Sequence, residues 1–270
     1  MTRRSQYGLI GKSLIHSASP ELFRTVLRPQ QTPIPYACFP LQKISQLTTL
    51  LREQPQIRGL NVTIPYKREV LKFVDNVDSI VRTIGATNTL YIDRRNGLSA
   101  FNTDVVGARS DLEALLGKAR PQSVLILGTG GAAEAVSFTL TQFFGQPDIR
   151  FASRNPASGS HISYDEANAQ LHTFSLIINA TPVGMYPNID TAPALNYAAI
   201  TDRHVVWDLI YNPRRTRFLE HCAAQGASTR NGWGMLVEQA RASLNIWEKP
   251  LDVSQLEPNP WQEAHVELSS

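Results

Sequence analysis

The chain has 270 residues, 42% of them hydrophobic, enough for one large domain or two modest ones. Its 26 basic and 23 acidic residues leave a net charge of +3. The bases occur as scattered pairs (Arg3-Arg4, Arg94-Arg95, Arg214-Arg215) without a long run, which argues against a nucleic-acid partner. Cys38 and Cys222 make neither a disulfide framework nor a metal spacing, so no metal is expected and a reducing cytoplasm is the expected location. The apolar patch Tyr7 to Ile10 is too short for a secretory signal, and no stretch approaches the roughly 18 apolar residues of a membrane span.

The predicted elements alternate between strands and helices, without internal repeats, which points to the α/β class. Tyr7 to Gly11 reads as a strand. Ser19 is expected to cap a helix with Pro20 in its first turn. Tyr36 to Pro40 is a second strand, Leu47, Leu50 and Leu51 mark an amphipathic helix, and Leu60 to Ile64 is a third strand. A helix is expected from Pro65 to about Asn76. Thr87 to Asp93 and Leu98 to Asn102 flank Arg94-Arg95-Asn96-Gly97, a hairpin signal. A helix follows from Asp104 to Gly117.

The apolar run Val124 to Leu127 feeds the turn Gly128-Thr129-Gly130-Gly131-Ala132-Ala133 and a helix. A strand leading through G-x-G-x-x-A into a helix offers bare backbone N–H groups and a positive helix end to a pyrophosphate. A tight turn with no ligand is the plainer alternative. The next strand, near Ile149 to Ala152, ends in Ser153-Arg154, where an NAD protein carries an acid for the ribose 2′-OH. Serine and arginine suit a 2′-phosphate, so the pair favours NADP; a merely solvated arginine is the alternative. A helix near Asp165 to Leu171 and strands at Leu176 to Asn179, His204 to Asp208 and Ala227 to Thr229 follow. The last helix, about Gly234 to Trp247, carries Val237, Ala240, Leu244 and Trp247 on one stripe. The tail after Pro250 is expected to be loose.

Two polar segments sit at strand ends. Lys67 closes Asn61-Val62-Thr63-Ile64-Pro65-Tyr66-Lys67 and is expected to open a helix; Asp104 closes Phe101-Asn102-Thr103-Asp104. In open α/β sheets ligands gather outside the carboxyl ends of strands, so parallel neighbouring strands would bring Lys67 and Asp104 to one crevice. A surface ion pair, worth about 0–1 kcal/mol, is the other reading. Capping alone would explain Ser19, whereas Ser17 has less structural reason to be there; Asn88, Tyr211 and Gln239 each have an ordinary structural explanation, but together these residues suit a polyhydroxylated ligand.

These segments resemble the shikimate dehydrogenase family. The resemblance rests on Tyr7 to Gly11 with His16-Ser17-Ala18-Ser19-Pro20, Asn61 to Lys67, Gly85 to Thr89 and Asn102 to Asp104. It continues through Gly128 to Ala132, Asn179 to Pro182, Asp208 to Pro213 and Asn231 to Ala240, in family order across about residues 7 to 247. It implies reversible NADPH-dependent reduction of 3-dehydroshikimate to shikimate in aromatic amino-acid biosynthesis. It implies a catalytic pair, Lys67 and Asp104, and substrate contacts from Ser17, Ser19, Thr63, Asn88, Tyr211 and Gln239. It places Gly128, Gly130, Gly131 and Ala132 on the pyrophosphate, Ser153 and Arg154 on the adenosine side, and Leu209 and Gly232 near the nicotinamide. The implied architecture is a mixed-sheet substrate domain, 1–104, completed by 235–270, with a doubly wound NADP domain of Rossmann type, 105–234. A monomer or homodimer is expected. Two alternatives accompany this reading: a quinate/shikimate dehydrogenase with relaxed substrate or cofactor choice, and a non-catalytic NADP-binding regulator. The family's frequent proline and His-Asn are replaced here by Ser13 and Phe23-Arg24, and its Asn-Arg-Thr by Ser153-Arg154-Asn155.

Overall fold

A computed structural model of the chain describes residues 5–15, 17–27, 34–157, 159–249, 251–264, 266 and 268. The pair Arg3-Arg4, His16 and Pro250 lie outside the described residues. The chain divides into two units, Met1–Thr103 with Gln239–Ser270, and Asp104–Glu238.

The first unit opens on β1 (Gln6–Gly11). It is followed by α1 (Ser19–Glu21), which continues as a π-helical turn over Leu22–Val26. Ser19 does not cap this helix. It is itself the first helical residue, and Ala18 holds the cap position without a side-chain bond. The Ser19 N–H instead donates to Ser17 Oγ at 3.3 Å, so the serine two residues earlier performs the local capping. Next come β2 (Tyr36–Pro40) and α2 (Gln46–Glu53), which buries Leu47 and Leu51 on one face.

Strand β3 spans Ile57–Val62, ending earlier than expected. Thr63 leaves the ladder, and Ile64 to Arg68 turn, with a cis bond between Ile64 and Pro65. The helix expected after Pro65 is absent. Only a 3-10 turn, Glu69–Phe73, forms before the short strand β4 (Asn76–Val77). The Leu71 carbonyl, which a helix running to Asn76 would need, accepts from Asn259 Nδ2 at 2.6 Å, and the same amide bonds the Val74 carbonyl at 2.7 Å. Tertiary partners override the local helical pattern. Helix α3 (Ser79–Ile84) was not expected, although Asp78 caps it through Val81 N–H at 2.7 Å and Gly85 closes it. Strands β5 (Thr89–Asp93) and β6 (Gly97–Phe101) form the expected antiparallel hairpin.

The second unit begins with α4 (Asp104–Leu116) and β7 (Ser123–Leu127), then α5 (Gly131–Phe143) and β8 (Asp148–Ala152). The two-residue β9 (His161–Ile162), missed in the sequence, precedes α6 (Tyr164–Ala169), whose N-terminus carries a reciprocal Ser163–Glu166 capping box. Strands β10 (Leu176–Asn179) and β11 (Val205–Asp208), helix α7 (Arg217–Ala224) and β12 (Ser228–Arg230) complete it. The sheet is wholly parallel, in the order β12-β11-β10-β7-β8-β9. Strands buried on both faces need near-continuous apolar runs, and Val124 to Leu127 and Leu176 to Ile178 supply them at 0% exposure.

Helix α8 (Trp233–Glu248) carries the chain back to the first unit. Its Ala240, Leu244 and Trp247 are buried, while Val237 is only half-buried. Trp247 stacks on Tyr7 and Phe23, and its Nε1 donates to the Leu90 carbonyl at 2.9 Å. The tail beyond is not loose. Its strand β13 (Glu257–Pro258) pairs antiparallel with β4, the Glu263 and Ala264 amides donate to the Lys72 carbonyl, and Val266 is buried. The first sheet therefore reads β13-β4-β6-β5-β3-β1-β2 and is mixed; β5 and β13 run against the rest.

Candidate active site

In the first unit, strands β1, β3 and β6 run parallel, so their carboxyl ends lie along one edge of the sheet. The start of the antiparallel β5 lies at that same edge. β3 and β6 are parallel but not neighbours, because β5 lies between them, so the sequence condition for a shared crevice is met in direction and not in adjacency. Two strand spacings put their ends about 10 Å apart. Ser17 and Ser19 follow β1, Thr63 and Lys67 follow β3, Asn88 precedes β5, and Thr103 follows β6.

Backbone bonds fasten these segments to one another. The Thr63 N–H donates to the Ile10 carbonyl at 2.9 Å, and Thr87 N–H donates to the Lys67 carbonyl at 2.8 Å. Asn88, 3% exposed, accepts from the Thr103 N–H at 2.7 Å and reaches Gln239 Oε1 through its Nδ2 at 3.3 Å. Ser19 is buried, and Ser17, Thr63, Lys67 and Gln239 are half-buried. Asp104 and Tyr211 belong to the second unit. Asp104, 5% exposed, opens α4 directly after Thr103; Tyr211 is half-buried beyond β11.

Sequence reasoning missed the buried polar layer beneath Asn88. Asn61 Nδ2 donates to the Asn88 carbonyl (3.2 Å), Thr89 Oγ1 (3.1 Å) and Ser243 Oγ (2.9 Å), while Tyr36 Oη donates to Asn61 Oδ1 at 2.9 Å. The available signal was Ser243, a hydroxyl three residues past Ala240 on the buried side of α8.

The second unit reverses strand order between β7 and β10, where ligands of open parallel sheets settle. Gly128 turns out of β7 with φ +98°, a left-handed conformation that favours glycine. Its N–H donates to the Ala152 carbonyl at 2.8 Å, tying the glycine turn to the end of β8 just before Ser153. Gly130 holds the cap position of α5 with no capping side chain, and a Cβ there would meet open space. The first N–H groups of the helix, from Gly131 and Ala132 onward, are thus presented to an anion. Ser153 Oγ is buried without a hydrogen-bond partner, and Arg154 beside it is exposed. An orphaned hydroxyl, a guanidinium and an uncapped helix end fit a phosphorylated dinucleotide. On the neighbouring strands, the Leu209 N–H donates to the Asn179 carbonyl at 3.0 Å, and Gly232 N–H to the Ile210 carbonyl at 3.1 Å. A Cβ on Gly232 would overlap the Leu209 carbonyl oxygen.

Between Asn179 and Leu209 lies Asp208, 0% exposed. It accepts from Thr216 Oγ1 at 2.5 Å, and from the Ile210 N–H and Asn179 Nδ2 at 3.0 Å each. Burial outweighs these donors and pushes its carboxyl up to about 6. An acid whose folded pKa exceeds its unfolded value near ~3.9 holds its proton more tightly when folded. Stability therefore falls as pH rises from about 4 to 6. Asp208→Asn keeps the bonds to Ile210 and Asn179 and lets its Nδ2 donate to Thr216. Melting temperatures across that window are expected to fall less for this variant than for the parent protein. Equal slopes would refute the assignment.

The fold and this geometry define a dinucleotide-binding α/β protein of the dehydrogenase class. Residues 9–90 match the family description "Shikimate dehydrogenase substrate binding domain". The chain is 32% identical over 256 residues to the shikimate dehydrogenase (NADP(+)) of Methanococcus aeolicus, covering 89% of this chain and 90% of that one. It resembles a crystal structure of shikimate dehydrogenase in complex with NADP+, with a TM-score of 0.82 and 32% identity over 96% of this chain and 93% of the other. It also resembles the Thermus thermophilus shikimate 5-dehydrogenase in complex with NADP(H) and shikimate, with a TM-score of 0.77 and 27% identity over 93% and 96%. The chain belongs to the shikimate dehydrogenase family. Among the described residues, no helix is long and apolar enough to cross a membrane.

Proposed function

We propose that this chain reduces 3-dehydroshikimate to shikimate, reversibly, with NADPH, as a step of aromatic amino-acid biosynthesis. The observation that carries this reading is the edge of the first sheet, where Thr63, Lys67 and the Asn88–Gln239 pair gather beyond β1, β3 and β6. Several amides and hydroxyls with one ammonium suit a polyhydroxylated carboxylate. The division at Thr103 and Gln239 supports a substrate domain of 1–104 with 235–270 and an NADP domain of 105–234. The free thiols Cys38 and Cys222 suit a cytoplasmic location.

NADPH, when bound, supplies the hydride. Lys67 Nζ gives a proton to the developing C3 alkoxide and takes it back in the oxidative direction. Asp104 accepts from a substrate hydroxyl. Ser17, Ser19, Thr63, Asn88, Tyr211 and Gln239 take the substrate's hydroxyls and carboxylate. Gly128, Gly130, Gly131 and Ala132 receive the pyrophosphate, Ser153 and Arg154 the adenosine 2′-phosphate, and Leu209 and Gly232 flank the nicotinamide.

The direct test is absorbance at the reduced-nicotinamide band after shikimate and NADP are added to purified protein. A flat trace overturns the reading. Parallel traces with quinate, and with NAD, separate it from a relaxed quinate/shikimate enzyme. Arg154→Ala is expected to raise the KM for NADP about tenfold, equivalent to ~1.4 kcal/mol, while the KM for NAD stays level. Equal effects on both cofactors would remove Arg154 from the 2′-phosphate.

A further inference from the structure

The Asn88 amide has a fixed orientation, and the cause lies in a layer that no assigned ligand contact explains. Its Oδ1 accepts from the Thr103 N–H at 2.7 Å, and a backbone N–H can only donate. The oxygen must therefore face Thr103, and Nδ2 faces Gln239 Oε1 at 3.3 Å. The Thr89 hydroxyl also donates to Oδ1 at 3.1 Å, while the Thr103 hydroxyl lies 3.2 Å from Oδ1 and accepts from Nδ2 at 2.9 Å. Both hydroxyls touch one atom, Ser243 Oγ, at 2.8 and 3.0 Å. That atom also accepts from Asn61 Nδ2 at 2.9 Å and donates to the Gln239 carbonyl at 3.0 Å.

Ser243 is 0% exposed, Thr89 0%, Thr103 2% and Asn61 5%. Ser243 Oγ thus has four polar neighbours in a closed pocket, the place a buried water would otherwise take. It lies one helical turn beyond Gln239, so a single hydroxyl joins the backbone that carries Gln239 to both threonines that hold Asn88. We propose that Ser243 is a positioning residue for substrate: it ties the turn of α8 that carries Gln239 to the two threonines beside Asn88, and so sets the spacing of the Asn88–Gln239 pair without touching the ligand. This rests on the substrate role given to Asn88 and Gln239 under Proposed function.

Removing the Ser243 hydroxyl leaves Thr89 and Thr103 to re-pair around Asn88 Oδ1, and the two amides lose their common support. The partners of Ser243 Oγ are Asn61, Thr89, Thr103 and the Gln239 carbonyl, around the proposed substrate amides, so the loss is expected to fall on substrate binding. Ser243→Ala is expected to raise the KM for shikimate fivefold to twentyfold, with kcat within twofold and the KM for NADP unchanged. A change in melting temperature alone, or an equal rise in both KM values, would mean a purely structural role and would overturn the proposal. So would a shikimate KM within twofold of the parent.

Should Ser243→Ala fail to fold, Thr89→Val removes the partner hydroxyl at nearly constant volume and is expected to raise the shikimate KM in the same selective way. Thr89→Ser, which keeps the hydroxyl, is expected to return it to the parental value; equal KM values for the two variants would overturn the proposal. The parent protein's own turnover of shikimate tests the underlying function. Only the variant-to-parent ratio tests Ser243, so the two failures are distinct.

Discussion

Lys67→Ala is expected to lower turnover by at least about a hundredfold, the range ordinarily contributed by a positioned general acid or base. The KM for shikimate should stay within about threefold. The expectation follows from how the residue is held. Lys67 lies in the turn beyond β3, and its carbonyl is fixed by the Thr87 N–H at 2.8 Å. Tyr66, 3% exposed, anchors the preceding position through Oη donating to the Leu41 carbonyl at 2.7 Å. Removing the side chain should leave that frame in place and take away only the ammonium. Steady-state kinetics in both directions provide the measurement. Turnover within about tenfold of the parent, ~1.4 kcal/mol of barrier, would remove Lys67 from the proton step. A large rise in KM with unchanged turnover would make it a binding group.

Gly232→Ala is expected to cut kcat/KM for NADP by more than about tenfold and to lower the melting temperature by several degrees. A methyl group at residue 232 would overlap the Leu209 carbonyl oxygen and crowd its Cα. The obstacle is backbone rather than the end of a flexible side chain, so either the segment after β11 or the start of α8 must move. Overpacking of this kind costs ~1–3 kcal/mol. Leu209 is pinned on its other side to Asn179, which leaves the Gly232 segment to yield. Both residues are assigned to the nicotinamide side, so the strain should appear in the cofactor constants before the substrate constants. Parental stability with parental NADP kinetics would show that the two backbones are looser than drawn.

Elements with a complete local signal were legible in the sequence. The Arg94-Arg95-Asn96-Gly97 turn between β-rich runs gave the hairpin β5–β6, and the apolar run before Gly128 gave β7 and the start of α5. Leu47 and Leu51 marked the buried face of α2. What escaped was decided at long range. The stretch after Pro65 carries a helical pattern, yet Asn259, far along the chain, bonds the Leu71 carbonyl that a helix would use and the Val74 carbonyl beside it. Strands β4 and β9 have two residues each and exist only through their neighbours. The tail looked unstructured because proline and polar residues were read without the sheet edge they meet. In the candidate site, serine, lysine and amide residues stood out by type. The network of Asn61, Thr89 and Ser243 did not, since each is an ordinary polar residue until α8 folds against β3 and β5.

The strands that border both sheets are short: five residues in β2, three in β12, and two each in β9 and β13. Pro40 closes β2 and Pro258 closes β13, each withholding an N–H from any strand arriving from outside. Such borders give a stray chain little to zip onto. Short, proline-closed borders disfavour edge-to-edge association, and removing Glu257–Pro258 would strip away one of those guards.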